Sequence, residues 1–132
     1  MGIQGIAVIG AGLMGHGIAQ VFASAGHPVS IYDREVATLE MVPARVKEIF
    51  EILEEDPAPG GNITLHEEIE TAIDGATIVI EAIAENLALK QQLFKNLEPL
   101  IDKSVILASN TSALPITDIA EFCDHKERVL GT

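Results

Sequence analysis

The sequence predicts an α/β fold in which helices cover both faces of a doubly wound parallel sheet. Three observations carry that expectation. Short apolar runs recur along the chain, and the first reads as a strand buried on both faces of a parallel sheet. Between them lie segments whose apolar residues repeat at helical spacing. The first run, Ile6-Ala7-Val8-Ile9, passes through a glycine-rich turn directly into the first such helix.

The elements follow in order. After Gly10 to Gly15, the spacing of Ile18, Ala19, Val21, Phe22 and Ala25 predicts a helix that Gly26 stops as a C-terminal cap. Val29 to Tyr32 reads as the second strand and ends on Asp33, closing a right-handed βαβ unit. Leu39, Val42, Val46, Ile49, Phe50 and Leu53 keep a helical period between Val36 and Leu53, with Pro43 either kinking the helix or beginning its main part. The run Pro57-Ala58-Pro59-Gly60-Gly61-Asn62 reads as a loop that no helix survives. Ile63-Thr64-Leu65 is a short third strand, with a small helix through Ile69 and Ile73 after it. Ala76 to Ile83 reads as a β-branched fourth strand, and Leu87 to Leu100 as a helix with Leu89, Leu93, Leu97 and Leu100 on one face. Val105 to Ala108 gives a fifth strand, Ile116 to Cys123 a helix, and Arg128 to Gly131 a sixth strand. Six strands alternating with helices predict the order 3-2-1-4-5-6.

Composition bounds the function. At 132 residues the chain fits one domain, residues 1–132, with no second one expected. Twenty acidic residues against eight basic ones give a net charge of -12, and the cations are scattered. Nucleic acid and anionic membrane surfaces are therefore not expected partners. The acidic run Glu51, Glu54, Glu55 and Asp56 reads as a solvated face, and no metal site is expected. The single cysteine, Cys123, reads as a small half-buried hydrophobe in a reducing compartment. No apolar stretch approaches the ~20 residues of a membrane span. Gly2 sits where myristoylation would occur, but Ile6 stands where that signal needs Ser or Thr. A soluble cytoplasmic protein is the expectation.

The turn Gly10-Ala11-Gly12-Leu13-Met14-Gly15 has the context a dinucleotide site demands: a strand before it, a helix after it, and Asp33 at the end of the next strand, 23 residues beyond Gly10. Gly10 permits the tight turn, Gly12 lets the backbone approach a pyrophosphate, and Gly15 lets the helix pack closely on the strand. Free N–H groups at the helix start, those of Leu13 and Met14 among them, would meet the phosphates. Asp33 is placed to accept hydrogen bonds from the adenosine ribose, and its charge would repel a 2′-phosphate. The fold is thus a Rossmann-type sheet and the cofactor NAD, although Arg34 next door has the chemistry to clasp a 2′-phosphate. His16 reads as a helix residue flanking the site, near a positive helix end that disfavours its protonated form.

Three stretches together resemble the 3-hydroxyacyl-CoA dehydrogenase family: Gly10 to Gln20, Ile80 to Lys90, and Ala108 to Ser112 with Leu114-Pro115-Ile116-Thr117 after it. The likeness is to the amino-terminal NAD-binding domain and spans nearly the whole chain. It implies oxidation of the 3-hydroxyl of an acyl-CoA thioester to a ketone by hydride transfer to NAD, in fatty acid metabolism. It further implies that Glu85, Lys90 and Asn110 belong to the cofactor site, and that Ser112 hydrogen-bonds the substrate oxygen near the nicotinamide as a catalytic residue. Alternatives stand beside these roles. Glu85 and Lys90, five apart, are too far for an ideal helical ion pair and would serve as well to cap or solvate a helix start. Ser112 would serve as an N-cap of the helix after it.

The chain departs from the family pattern in three places. The family's strand after Arg128 continues into a general-base histidine paired with a later glutamate, whereas this chain ends at Thr132, so the expectation is NAD binding without turnover. Ala113 stands where relatives commonly have a second serine, and the segment after Asp56 is shorter and richer in Pro and Gly. The helical second domain of the family, which completes the active site and the dimer contact, is expected to be missing here, and an uncovered apolar face would favour a homo-oligomer. Two other readings remain: a non-catalytic dinucleotide-binding or crystallin-like structural module, and a relative acting on a different hydroxy acid such as gulonate.

Overall fold

Short segments rich in aliphatic residues build six strands in the computed structural model, which describes residues 5–132. The myristoylation reading of Gly2 falls outside the described residues. The strands are β1 (Gly5–Ile9), β2 (Val29–Tyr32), β3 (Ile63–His66), β4 (Ala76–Glu81), β5 (Ile106–Ser109) and β6 (Val129–Gly131). Every neighbouring pair is parallel, and the order is β3-β2-β1-β4-β5-β6, as the sequence predicts. The chain winds outward from β1 to β3, then returns to pair β4 on the other side of β1. The carboxyl ends of β1 and β4 therefore flank the point where the winding reverses, the place where such sheets bind ligands.

The helices are α1 (Leu13–Ser24), α2 (Val36–Glu40), α3 (Val42–Ile52), α4 (Ile69–Ile73), α5 (Leu87–Leu97) and α6 (Ile116–Ile119). Because side chains alternate along a strand, β1 feeds two cores. Ile6 and Val8 pack with Ala19, Ala23, Val42, Val46 and Phe50 beneath α1 and α3. Ala7 and Ile9 pack with Phe94, Leu97, Leu107 and Ile119 beneath α5 and α6. Cys123 joins this second core, where burial pushes its thiol up, away from the reactive thiolate. Among the described residues no helix is long and apolar enough to cross a membrane.

Gly26 ends α1 as expected. Its φ is +90°, its N–H donates to the Ala23 carbonyl at 3.0 Å, and the His27 N–H donates to the Phe22 carbonyl at 3.1 Å. That pair of bonds is a Schellman cap, which glycine adopts without a Cβ penalty. Pro43 begins a helix rather than kinking one: α2 ends at Glu40, and Pro43 occupies the first turn of α3. Proline has no N–H to lose there.

Elsewhere the expected boundaries shift. The Pro57–Asn62 run is not wholly irregular, since Ala58–Asn62 winds into a 3₁₀ turn, with the Gly60 N–H donating to the Pro57 carbonyl at 3.0 Å. Prolines at its start have no N–H that such a turn needs. The fourth strand ends at Glu81 rather than Ile83, because the Ile83 N–H turns back onto the Glu81 carboxylate at 2.8 Å. The α-helix after it stops at Leu97, with a 3₁₀ turn over Glu98–Leu100. The one before β6 stops at Ile119, and Arg128 belongs to a 3₁₀ turn, not to the strand. The buried face of α5 is also rotated from the expected leucine stripe. Lys90, Phe94 and Leu97 point inward, while Leu89 is 46% exposed.

The glycine turn sets how closely α1 meets β1. A Cβ on Gly15 would fall 1.7 Å from the Gly10 carbonyl oxygen, whereas one on Gly17, in the same helix, would meet nothing within 4 Å. Gly15→Ala is therefore expected to destabilise the chain by about 3 kcal/mol, and Gly17→Ala to stabilise it by about 0.5–1 kcal/mol. Urea unfolding midpoints of the two variants check this, and equal midpoints would contradict the close approach.

Candidate functional site

The site lies where α1 begins. Gly10 has a φ of +110°, and a Cβ there would sit 2.5 Å from the Ala82 carbonyl oxygen, so only glycine fits the turn from β1 into α1 beside the end of β4. Gly12 is the N-cap of α1 and has no side chain to satisfy the first-turn N–H groups of Leu13 and Met14. A Cβ on Gly12 would meet no protein atom within 4 Å. Bare glycine here is not demanded by packing. It leaves the positive end of a 12-residue helix open to an approaching anion.

Asp33, just past β2, faces this turn. Its Oδ2 accepts the Ala11 N–H at 2.9 Å, and its Oδ1 accepts the Glu35 N–H at 2.8 Å. Those two bonds fix the carboxylate at the rim and leave lone pairs on both oxygens for a hydroxyl donor. They also assign Ala11 a part: its N–H holds Asp33 rather than pointing outward. Arg34 lies beside Glu35, 4.0 Å away, with both side chains exposed. His16 is buried in α1 beyond the turn. A groove of about 470 Å³ runs from Gly10 and Gly12 past Asp33 and Thr38 to Ala82, Ile83 and Leu89. Leu89 and Leu93 line it, so Leu89 lies exposed at the groove while Leu93 packs between the groove and the second core. A larger cavity of about 550 Å³, lined by Asp74, Thr77 and Ser104, sits at the amino ends of β4 and β5. It is the wrong end of a parallel sheet for ligand binding.

On the other side of the winding reversal, Glu85 and Lys90 do pair, at 2.7 Å. Their separation of five is no obstacle, because Glu85 precedes the helix: Asn86 is the N-cap of α5, its side chain accepting the Leu89 N–H at 3.1 Å. Neither the capping nor the solvating reading describes them. Lys90 is 1% exposed, and its ammonium also meets Glu81 Oε2 at 3.2 Å and the Asn110 carbonyl at 3.3 Å. Glu85 reaches across to the segment after β5, accepting the Thr111 hydroxyl at 2.9 Å and the Ser112 N–H at 3.2 Å. The Lys90 ammonium and these two donors hold the Glu85 carboxyl down at about 2. Ser112 is exposed and does not cap α6, whose N-cap is Pro115. Asn110 is tied to β4 by its N–H, which donates to the Glu81 carbonyl at 2.8 Å.

Sequence reasoning missed Glu81. It is 0% exposed at the end of β4, bonded by the Ser109 hydroxyl and the Ile83 N–H as well as Lys90. Burial pushes its carboxyl above the ordinary value despite those partners. The available signal was an acid closing a β-branched run predicted to be buried on both faces. Among the described residues, no three His, Cys, Asp or Glu side chains come together as metal ligands.

Residues 5–132 match the family model described as 3-hydroxyacyl-CoA dehydrogenase, NAD binding domain. The chain belongs to this family. It is 42% identical, over 99% of its length and 48% of the relative's, to the probable 3-hydroxybutyryl-CoA dehydrogenase of Bacillus subtilis. It is 33% identical, over 98% of its length and 43% of the relative's, to 5-formyl-3-hydroxy-2-methylpyridine 4-carboxylate 5-dehydrogenase of Mesorhizobium japonicum. Among solved structures, (S)-3-hydroxybutyryl-CoA dehydrogenase PaaH1 from Ralstonia eutropha superposes with a TM-score of 0.88 at 30% identity, covering 98% of this chain and 48% of that one. The chain thus spans about half the length of the relatives it matches. It is an NAD-binding domain of an oxidoreductase family.

The low Glu85 value has a sign that can be checked. Its folded carboxyl titrates near 2 against an ordinary 4.5, so the folded state binds fewer protons than the unfolded state between those values. Its contribution is complete above 4.5 and lost as pH falls toward 2. Buried Glu81, shifted upward, acts in the opposite sense and favours the folded state at low pH. Glu85→Gln should therefore show a shallower loss of stability than wild type over the Glu85 interval, measured by urea unfolding at stepped pH. An unchanged slope would contradict the Lys90 pairing.

Proposed function

We propose that the chain is the cofactor-holding part of an NAD-dependent 3-hydroxyacyl-CoA dehydrogenase, acting on a 3-hydroxybutyryl-CoA-like thioester. The observation that carries this reading is the side-chain-free start of α1 facing the twice-anchored Asp33. In this reading Gly12, Leu13 and Met14 receive the pyrophosphate through backbone N–H groups, while Gly10 and Gly15 keep the turn tight enough to present them. Asp33 accepts the ribose hydroxyls, held in place by Ala11. NAD, when bound, supplies the carbon that accepts hydride from the substrate.

The chain's own residues then orient and polarise. The Ser112 hydroxyl, exposed on a backbone that Glu85 holds by its N–H, donates a hydrogen bond to the substrate 3-oxygen. Glu85 and Asn110 border the nicotinamide, and Lys90 acts through them. The Thr132 N–H donates to the Ser109 carbonyl at 3.0 Å, which sets the carboxyl end of β6 beside this segment. A general base supplied there would take the hydroxyl proton as hydride leaves.

The acyl-CoA substrate follows the names of relatives, and the pyridine carboxylate relative supports a second reading in which the hydroxyl belongs to a different substrate. A reducing compartment rests on the buried thiol of Cys123; the relatives' names span bacterial and mitochondrial proteins, so either setting fits. The acidic net charge supports small-molecule rather than nucleic-acid or membrane partners.

Calorimetric titration with NAD and NADP tests the cofactor assignment. Wild type is expected to prefer NAD, and Asp33→Ala to weaken NAD binding by about 10- to 100-fold while narrowing that preference. Equal affinity for both cofactors, unchanged by the substitution, would overturn the assignment.

A further inference from the structure

Glu81 is an acid in the middle of a sheet. In register with Ile9 on one side and Ser109 on the other, it closes β4 at the carboxyl edge, fully covered. Buried ion pairs are costly to desolvate, and apolar replacements of similar volume are often as stable. A role other than stability is therefore worth seeking in what the carboxylate touches.

Its contacts lead outward along two loops. Oε2 holds the Ile83 N–H, which fixes the segment Ala82 to Ala84 that walls the groove. The same oxygen holds the Lys90 ammonium, which also binds Glu85 and the Asn110 carbonyl. Glu85 is 39% exposed and would draw Lys90 toward solvent if it were the cation's only acid. Glu81 pulls from beneath. The result is a continuous chain of charged bonds, Glu81 to Lys90 to Glu85 to the Ser112 N–H, running from the sheet to the loop surface. Asp33 and the glycine turn belong to the β1–β2 half of the fold, which receives the adenosine nucleotide; this chain of bonds belongs to the β4–β5 half, across the winding reversal.

We propose that Glu81 is a positioning residue for the nicotinamide half of the cofactor site, acting through Lys90 on Glu85 and the Asn110–Ser112 segment. The proposal rests on the NAD-site reading above and deepens it. Glu81 touches neither cofactor nor substrate. Its effect falls on the part of the ligand that ADP-ribose lacks.

That difference supplies the test. The 132-residue chain, wild type and Glu81→Gln, is titrated with NAD and with ADP-ribose. Glutamine keeps the shape but removes the charge that holds Lys90. NAD affinity is expected to fall about tenfold, and ADP-ribose affinity to stay unchanged. Unchanged NAD affinity, or an equal loss for both ligands, would overturn the proposal. Failure of wild type to bind ADP-ribose would instead overturn the underlying site reading, and the proposal with it. If Glu81→Gln does not fold, Ser109→Ala removes one bond from the carboxylate while leaving the charges in place. A severalfold loss for NAD alone supports the proposal, and no selective loss overturns it.

Discussion

The closeness of α1 to the end of β1 is the constraint on which the site depends. Gly15 lies so near the Gly10 carbonyl that no side chain fits between them, and Gly10 in turn lies against the Ala82 carbonyl of the neighbouring strand's extension. The helix start is thereby wedged into the gap between the carboxyl ends of β1 and β4. Its unsatisfied N–H groups face outward, beside an aspartate fixed by Ala11 and Glu35. Any looser packing would move the helix end away from Asp33 and separate two features that work only together.

The second half of the site is built on different physics. Here one buried cation near the start of α5 organises two acids and a backbone carbonyl, and through Glu85 it reaches the segment that carries Ser112. Backbone geometry holds one end of the groove and side-chain charge the other. The first depends on sterics that pH cannot alter, the second on ionisation.

Much of this was legible in the sequence because it rests on local rules. Gly10, Gly12, Gly15 and Asp33 announce their roles by spacing and by the strands around them, and Gly26 announces a cap. The strand order follows from alternation of element types. What was not legible depends on tertiary partners. A lysine in a helix normally marks the solvent face, so the burial of Lys90 and the rotation of α5 could not be read without knowing that two acids wait for it. Glu81 looked like the passing residue of a longer strand, since its own side chain ends that strand by capturing the Ile83 N–H. Pro57 to Asn62 reads as loop by composition, and only the chain's path shows that it closes a 3₁₀ turn.

The chain belongs to the 3-hydroxyacyl-CoA dehydrogenase NAD-binding family and spans about half the length of the relatives it matches. The central claim is that NAD binds across the carboxyl ends of β1 and β4. Amide chemical shifts of the isotope-labelled chain, followed during titration with NAD, test it most directly. The largest changes are expected at Gly12, Leu13, Met14 and Asp33, with a second group at Glu85 and from Asn110 to Ser112. Changes gathered instead around Asp74, Thr77 and Ser104, at the amino ends of β4 and β5, would contradict it.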